Sequence, residues 1–248
     1  MAKDTVSIYI DDSAIRVLSV SGRRPRQWVV EPLDEGLVRD GLILNEAQVA
    51  THIRTVWADK SPGSRRVIAG ISGINCMYRF LTLPELPEEI LPEAVAREAS
   101  RALGVPLDRL YTSWQVLPGK PGETLVYLAA AARTTVDALI RTLRQANLDP
   151  YLMDIAPLAL ARATAEGNAL VADLQPGGLD IVVKMDGVPE VVLAYRFESD
   201  LFRIPLVVRG STYLLSVAVV AGTAFLSAAA VRHRLRRLDL VAVLKTRE

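Results

Sequence analysis

The sequence predicts an α/β globular segment over about residues 1–200, followed by one transmembrane helix. Three observations carry this. Short runs of alternating apolar residues interleave with amphipathic helical patterns up to about residue 200. Half of the 248 residues are apolar, enough for a sizeable core. From Ser211 to Val231 no residue is charged, and "RHRLRR" follows at once.

The elements can be justified in order. "SIYIDDSAIRVLSV", residues 7–20, alternates on both sides of Asp11-Asp12-Ser13 and reads as a β-hairpin, with strands near 5–10 and 14–20. A third strand follows over 26–33. "GLVRDGLILNE" reads as a turn-rich connection into a helix over about 45–59, and "RRVIAGISG" as a buried strand. Residues 77–150 have the look of an inserted module: strand "YRFLTL", helix "PEAVAREASRAL", strands "YTSWQVL" and "ETLVYLAAAA", and helix "TVDALIRTLRQANL". Pro92 suits a first helical turn and Gly104 a helix end. "YLMDIAPLALARATAEG" runs from strand to helix. "ALVADL", "LDIVVKM" and "PEVVLAYRF" are strands, the last two joined by the hairpin turn Asp186-Gly187. The opening pattern thus begins again after residue 169, which predicts two related halves with the second cut short.

A formal net charge of +1 leaves no basic footprint for nucleic acid. The lone Cys76 cannot form an internal disulfide, and nothing at the amino terminus resembles a signal peptide, so a reducing cytosol is expected for the globular part. The uncharged window would span about 30 Å as a helix, the thickness of a bilayer's hydrocarbon core. A buried Ala-rich helix is the alternative for residues 213–231.

The order of elements, with "GLVRDGLILNE", "LTLPELP", "EAVAREASRAL" and "YLMDIAPLALARA", resembles the PilM family of type IV pilus assembly proteins over residues 4–198. That family belongs to the actin-like ATPase superfamily. The resemblance implies a partial actin-like (ribonuclease H-like) fold, with the small subdomain inserted at about 77–150 and the second lobe truncated. It also implies a place on the cytoplasmic face of the bacterial inner membrane, ATP as ligand, and capture of the amino-terminal peptide of the membrane protein PilN beside the subdomain. The tail over 201–248, with its closing "LDLVAVLKTRE", resembles the end of an ABC transporter permease of the MacB and FtsX type.

In the superfamily the first phosphate loop reads Asp-x-Gly-Ser/Thr: the carboxylate holds a magnesium-bound water and the glycine lets the backbone approach the phosphates. Counting back from Ile15 and Arg16 puts Tyr9 on the aspartate and Asp11 on the glycine. Sliding the frame puts Asp11 on the aspartate and Ser13 on the glycine. Either way the glycine is missing, and two adjacent carboxylates repel a triphosphate unless a cation intervenes. In the second loop, "ADLQPGGLD", Asp173 holds the expected strand-end position, but Gln175 replaces a glycine. Gly177 and Gly178 could wrap an anion or simply make a turn. The candidate nucleotide residues are therefore Asp11, Ser13, Asp173, Gly177 and Gly178, in degenerate loops. No catalytic or metal site is expected, and ATP with magnesium would bind weakly.

Other candidates have ordinary readings. His52 and His233 lack partners at metal-ligand spacing. Cys76 reads as a small buried residue, Glu88, Glu89 and Glu93 as helix-start acids, and Trp28, Trp57 and Trp114 as core. The function expected is a peptide-binding scaffold anchored through 213–231. The rivals are an ATPase completed by a partner and a permease fragment in a fused or misassembled chain. The arginine cluster would place the carboxyl terminus inside and so the globular part outside, against its cytosolic character. Three resolutions are open: insertion against the charge bias, a helix lying on the surface, or a junction near Ser199-Asp200-Leu201 that is not native.

Overall fold

In a computed structural model that describes residues 4–22, 24–175 and 178–196, the alternating pattern at the amino terminus forms an antiparallel meander. Its strands are β1 (Asp4–Ile10), β2 (Ala14–Ser21) and β3 (Arg24–Pro32). The connection that follows is more ordered than its composition predicts. β4 (Val38–Arg39) and β5 (Leu42–Ile43) make a tight hairpin through Asp40 (φ 53°) and Gly41 (φ 71°). Both central residues are left-handed, as a two-residue hairpin turn matching strand twist requires.

Helix α1 (Glu46–Lys60) starts where Asn45 Oδ1 accepts from the Gln48 amide at 3.1 Å, and it buries Val49, Ala50, Ile53 and Val56. Strand β6 (Arg66–Ile71) then runs parallel to β1. The chain leaves this layer through β7 (Cys76–Pro84), α2 (Leu91–Leu103), β8 (Leu110–Leu117) and β9 (Glu123–Ala132). It returns by α3 (Arg133–Gln145) and β10 (Asp149–Ile155), which is parallel to β6. The main sheet has the order β10-β6-β1-β2-β3. Val6, Ile8, Ile15, Val17, Val67 and Ala69 form one face, and α1 and α3 cover it.

The excursion has its own three-stranded sheet, β7-β9-β8, and its own core of Leu81, Leu83, Val95, Val126 and Leu128 beneath α2. Pro92 lies in the first turn of α2, and Gly104 ends it at φ 64°. The expected module extended to residue 150, but α3 belongs with the main layer. Its Val136, Leu139 and Leu143 join the main core, and Arg141 pairs with Glu46 of α1 at 2.7 Å. The reason lies in its apolar stripe, which matches the sheet face left open beside α1.

Helix α4 (Ala156–Ala163) leads to a second meander, β11 (Ala169–Gln175), β12 (Gly178–Met185) and β13 (Val188–Arg196). The turn at Asp186 (φ 50°) and Gly187 (φ 83°) is the two-residue hairpin expected. These strands repeat the opening pattern. All of the described residues fall in one compact unit, Met1–Arg203. The span expected at 213–231, the permease-like tail and His233 lie outside the described residues; among those described, no helix is long and apolar enough to cross a membrane.

Candidate functional site

The β1–β2 turn holds both carboxylates of the first loop with the chain's own groups. Asp11 is 5% exposed. Its Oδ1 accepts from the Ser13 amide at 2.8 Å, the Ser13 hydroxyl at 2.6 Å and the Ala14 amide at 3.0 Å. Its Oδ2 forms an ion pair with Arg16. Asp12 reaches across to the β4–β5 turn, where Oδ2 accepts from the Asp40 amide at 2.9 Å and Oδ1 from the Gly41 amide at 3.1 Å. Gly41 is required there twice over: its φ is left-handed, and a Cβ would sit 2.6 Å from Ser72 Cβ.

Tyr9 stands opposite Arg16 in the hairpin register and turns its ring toward the second meander. Gly70, its neighbour on β6, makes room, since a Cβ there would lie 2.9 Å from Tyr9 Cδ2. The Tyr9 hydroxyl is hydrogen-bonded to Gln175 and Ser72. Burial chiefly raises its pKa, and the Asp180 and Asp173 carboxylates add to the rise while the hydrogen bonds oppose it. A phenol so placed stays neutral near pH 7. Gln175, the residue standing where a phosphate loop has glycine, also donates from Nε2 to Asp173 Oδ2 at 2.8 Å. Gly178 is buried at the start of β12 and pairs with Gln175, while Gly177 lies outside the described residues.

The structure thus brings Asp11, Asp12 and Gly178 to a shared cleft with Tyr9, Gln175 and Asp180, about 280 Å³ in volume including space open to solvent. Ser13 faces its own turn, and Asp173 reaches the cleft through Gln175. Among the described residues no group of acidic, His or Cys side chains could hold a metal ion.

A second surface feature was missed by the sequence reading. The inserted sheet's face opposite α2 carries Tyr78 and Phe80 of β7, Tyr127 of β9 and Tyr111 of β8, in adjacent register. The Phe80 and Tyr127 rings lie 5.1 Å apart at 56°. The Tyr111 hydroxyl donates to Asp137 of α3 at 2.9 Å, and the Arg133 guanidinium lies 4.2 Å from the centre of its ring. The buried hydroxyl of Tyr127 and Nε of Arg133 find no hydrogen-bond partner among the described residues, while the Tyr78 hydroxyl lies against the Cys76 thiol. Burial pushes Tyr127 up to about 12 and raises Tyr78 further. The signal was present in "YRFLTL", where two aromatics stand at alternating positions, and in the single tyrosine of "LVYLA".

The remaining candidates are located plainly. Cys76 donates from Sγ to the Ser72 carbonyl at 3.3 Å, and burial pushes its thiol up to about 12, which removes nucleophilic character. His52 is 3.9 Å from Asp34. Glu93 pairs with Arg97 at 3.0 Å on an exposed helix face. Trp57 packs against the main core, as expected. Trp28 and Trp114 do not: they are 62% and 37% exposed, on the edge strand β3 and on β8 beyond the reach of α2. Alternation alone does not say which face of a strand is covered.

A family described as type IV pilus assembly protein PilM matches residues 8–189. No curated protein matches this chain. Among solved structures, the PilM-PilN type IV pilus biogenesis complex is similar with a TM-score of 0.67 at 23% identity, covering 80% of this chain and 63% of that one. The cytoplasmic domain of EpsL, an inner membrane component of the type II secretion system of Vibrio cholerae, is similar with a TM-score of 0.54 at 10% identity, over 78% of this chain and 71% of that one. This chain therefore spans 63% of the length of the first of these structures. At such identities the likeness is one of fold, the actin-like α/β architecture.

Proposed function

The chain belongs to the PilM family of type IV pilus assembly proteins, and from that premise we propose that its globular part is a peptide-binding scaffold at the cytoplasmic face of the inner membrane, not an enzyme. The partner proposed is a PilN-like amino-terminal peptide, since the solved structure of similar fold is a PilM-PilN complex. One observation carries the non-enzymatic part. The acidic turn that would organise magnesium and phosphate is occupied by the chain's own groups, Asp11 by Ser13, Ala14 and Arg16, and Asp12 by the Asp40 and Gly41 amides. Its role is to fix the geometry between β2 and the β4–β5 hairpin. A ligand competing for these carboxylates would have to leave buried donors unsatisfied.

The peptide reading draws support from the aromatic face of the inserted sheet. Phe80, Tyr78 and Tyr127 offer large rigid contact area at low entropic cost, and the Tyr127 hydroxyl and Arg133 Nε offer donors to a backbone or side-chain carbonyl. Isothermal calorimetry of the full chain with a synthetic PilN amino-terminal peptide tests this. Saturable heat is expected, weakened about tenfold or more by Phe80→Ala, a loss of about 1.4 kcal/mol or more. No detectable heat from folded protein would remove the binding claim. Residues 213–231 are proposed as the membrane anchor.

The cleft between the two meanders favours a second reading, an actin-like ATPase completed by a partner, in which Asp11 and Asp173 hold magnesium. A thermal shift with Mg-ATP that vanishes in Asp173→Ala would support it. Because Asp11 and Asp12 are already held by the chain's own donors, which a magnesium ion would have to displace, no shift is expected.

A further inference from the structure

Two unlike contacts join the main layer to the second meander beside the cleft. At one, the turn Gly73–Asn75 that follows β6 meets α4 and β13 through bare backbone: a Cβ on Gly73 would lie 2.7 Å from Pro157 Cγ and 3.5 Å from Ala194 Cβ. Apolar contact of this kind is non-directional, so it keeps the halves close without fixing their tilt. At the other, Tyr9 of β1 is hydrogen-bonded to Ser72, just past β6, and to Gln175, the last residue of β11. Both partners are themselves held. Ser72 Oγ accepts from the Ile74 amide at 3.4 Å, and Gln175 Nε2 donates to Asp173 Oδ2 at 2.8 Å.

We propose that Tyr9 is a clasp that fixes the second meander on the main sheet, so that the two halves keep one closed arrangement with no ligand between them. The clasp does not rest on the peptide reading. Three observations carry it. The first is position: Tyr9, Ser72 and Gln175 line the same cleft, with Tyr9 and Gln175 near the ends of β1 and β11, the matching first strands of the two meanders. The second is directionality. Hydrogen bonds weaken steeply off axis, so a hydroxyl shared between the halves sets the angle that the Gly73 contact leaves open. The third is charge. Asp173 and Asp180 stand directly opposite each other in the β11–β12 register, where like charges destabilise a sheet. Gln175 relieves this by donating to Asp173, and its side chain is kept in place for that by Tyr9. A ligand entering between the meanders would have to part Tyr9 from Gln175.

The test is hydrogen exchange of the full chain, read by mass spectrometry. Tyr9→Phe keeps the ring and removes the hydroxyl, and Gln175→Leu removes the other end of the same bond. Each should speed exchange of the β11, β12 and β13 amides about tenfold, the worth of one or two buried hydrogen bonds, while amides of α1 and α3 keep the parent's rate. The double variant should be no faster than the faster single one, because both changes break one unit. Parent-like rates in Tyr9→Phe, accelerations that multiply in the double variant, or an acceleration spread over α1 and α3 overturns the proposal. The parent chain supplies a reading that needs no variant to fold. Millimolar Mg-ATP should leave β11–β13 exchange unchanged, since the halves are already closed; slowing of those amides would show that a nucleotide, not Tyr9, brings them together.

Discussion

Two adjacent aspartates share the first turn yet perform different structural tasks. Asp11 closes its own turn and neutralises Arg16, whereas Asp12 ties the hairpin to a loop 28 residues further on. An Asp12→Ala variant leaves the Asp40 and Gly41 amides without their carboxylate acceptor. The expected loss is about 2–3 kcal/mol, from the cost of stranding donors that had a charged partner. It would be read as a lower urea midpoint at unchanged m-value, and an unaltered midpoint would show that water replaces the carboxylate freely. Cys76 gives a pH-dependent prediction at the same scale. Burial raises its pKa from 9.0 to about 12. Above pH 9 the unfolded chain releases this proton while the folded chain keeps it, so the thiol's contribution is intact below 9 and is lost as pH rises through 12. Denaturant midpoints should therefore fall between pH 9 and 11, less steeply in Cys76→Ala; equal slopes in the two proteins would contradict it. The buried tyrosines Tyr78 and Tyr127 act in the same direction and account for the slope that remains.

At the scale of elements, the least expected feature is a buried lysine. Lys184 Nζ donates to the Ala161 carbonyl at 3.0 Å, the Thr164 carbonyl at 2.8 Å and the Thr164 hydroxyl at 2.9 Å. An ammonium has three donors, and here all three meet the carboxyl end of α4, where the helix dipole favours positive charge. Lys184→Met would keep the packing and strand those acceptors. A loss of about 2–4 kcal/mol is expected, since buried hydrogen bonds to a charged group are each worth about 1.5–3 kcal/mol. Thermal melting measures it, and a Tm within a degree of the parent would show that α4 does not depend on this cap. Nothing in "LDIVVKM" distinguished this lysine from a solvated one, because its partners lie some 20 residues away. The hairpin through Asp186-Gly187 and the ends of α2 at Pro92 and Gly104 were legible, because each rests on a neighbour's backbone preference. Where a decision needed the other side of a sheet it failed: Trp28 and Trp114 alternate correctly but face open surfaces, and the stripe of α3 did not say which sheet it would cover.

Across the whole molecule, the candidate cleft was half legible for the same reason. The departures from phosphate-loop chemistry at Tyr9, Asp11 and Gln175 are local and could be read directly. The substitutes could not, since the contact of Tyr9 with Ser72 and Gln175 joins segments more than 60 and 160 residues away, and the aromatic face of the inserted sheet needs three strands in register. The described fold also has two separate cores, one under the main sheet and one under α2, joined through β7, β9 and the start of α3. Separate cores imply separate opening reactions. Leu128 is fully buried in the smaller core, and Leu128→Ala should cost about 2–5 kcal/mol, the range for such truncations. That cost should fall on the inserted sheet first. Native-state hydrogen exchange would then show β7, β8, β9 and α2 amides exchanging through a lower-energy opening, while amides of β1, β6 and α1 keep the parent's protection. Uniform loss of protection in both groups would mean that the two cores unfold as one, and that the inserted sheet cannot yield to a partner peptide without loosening the main layer.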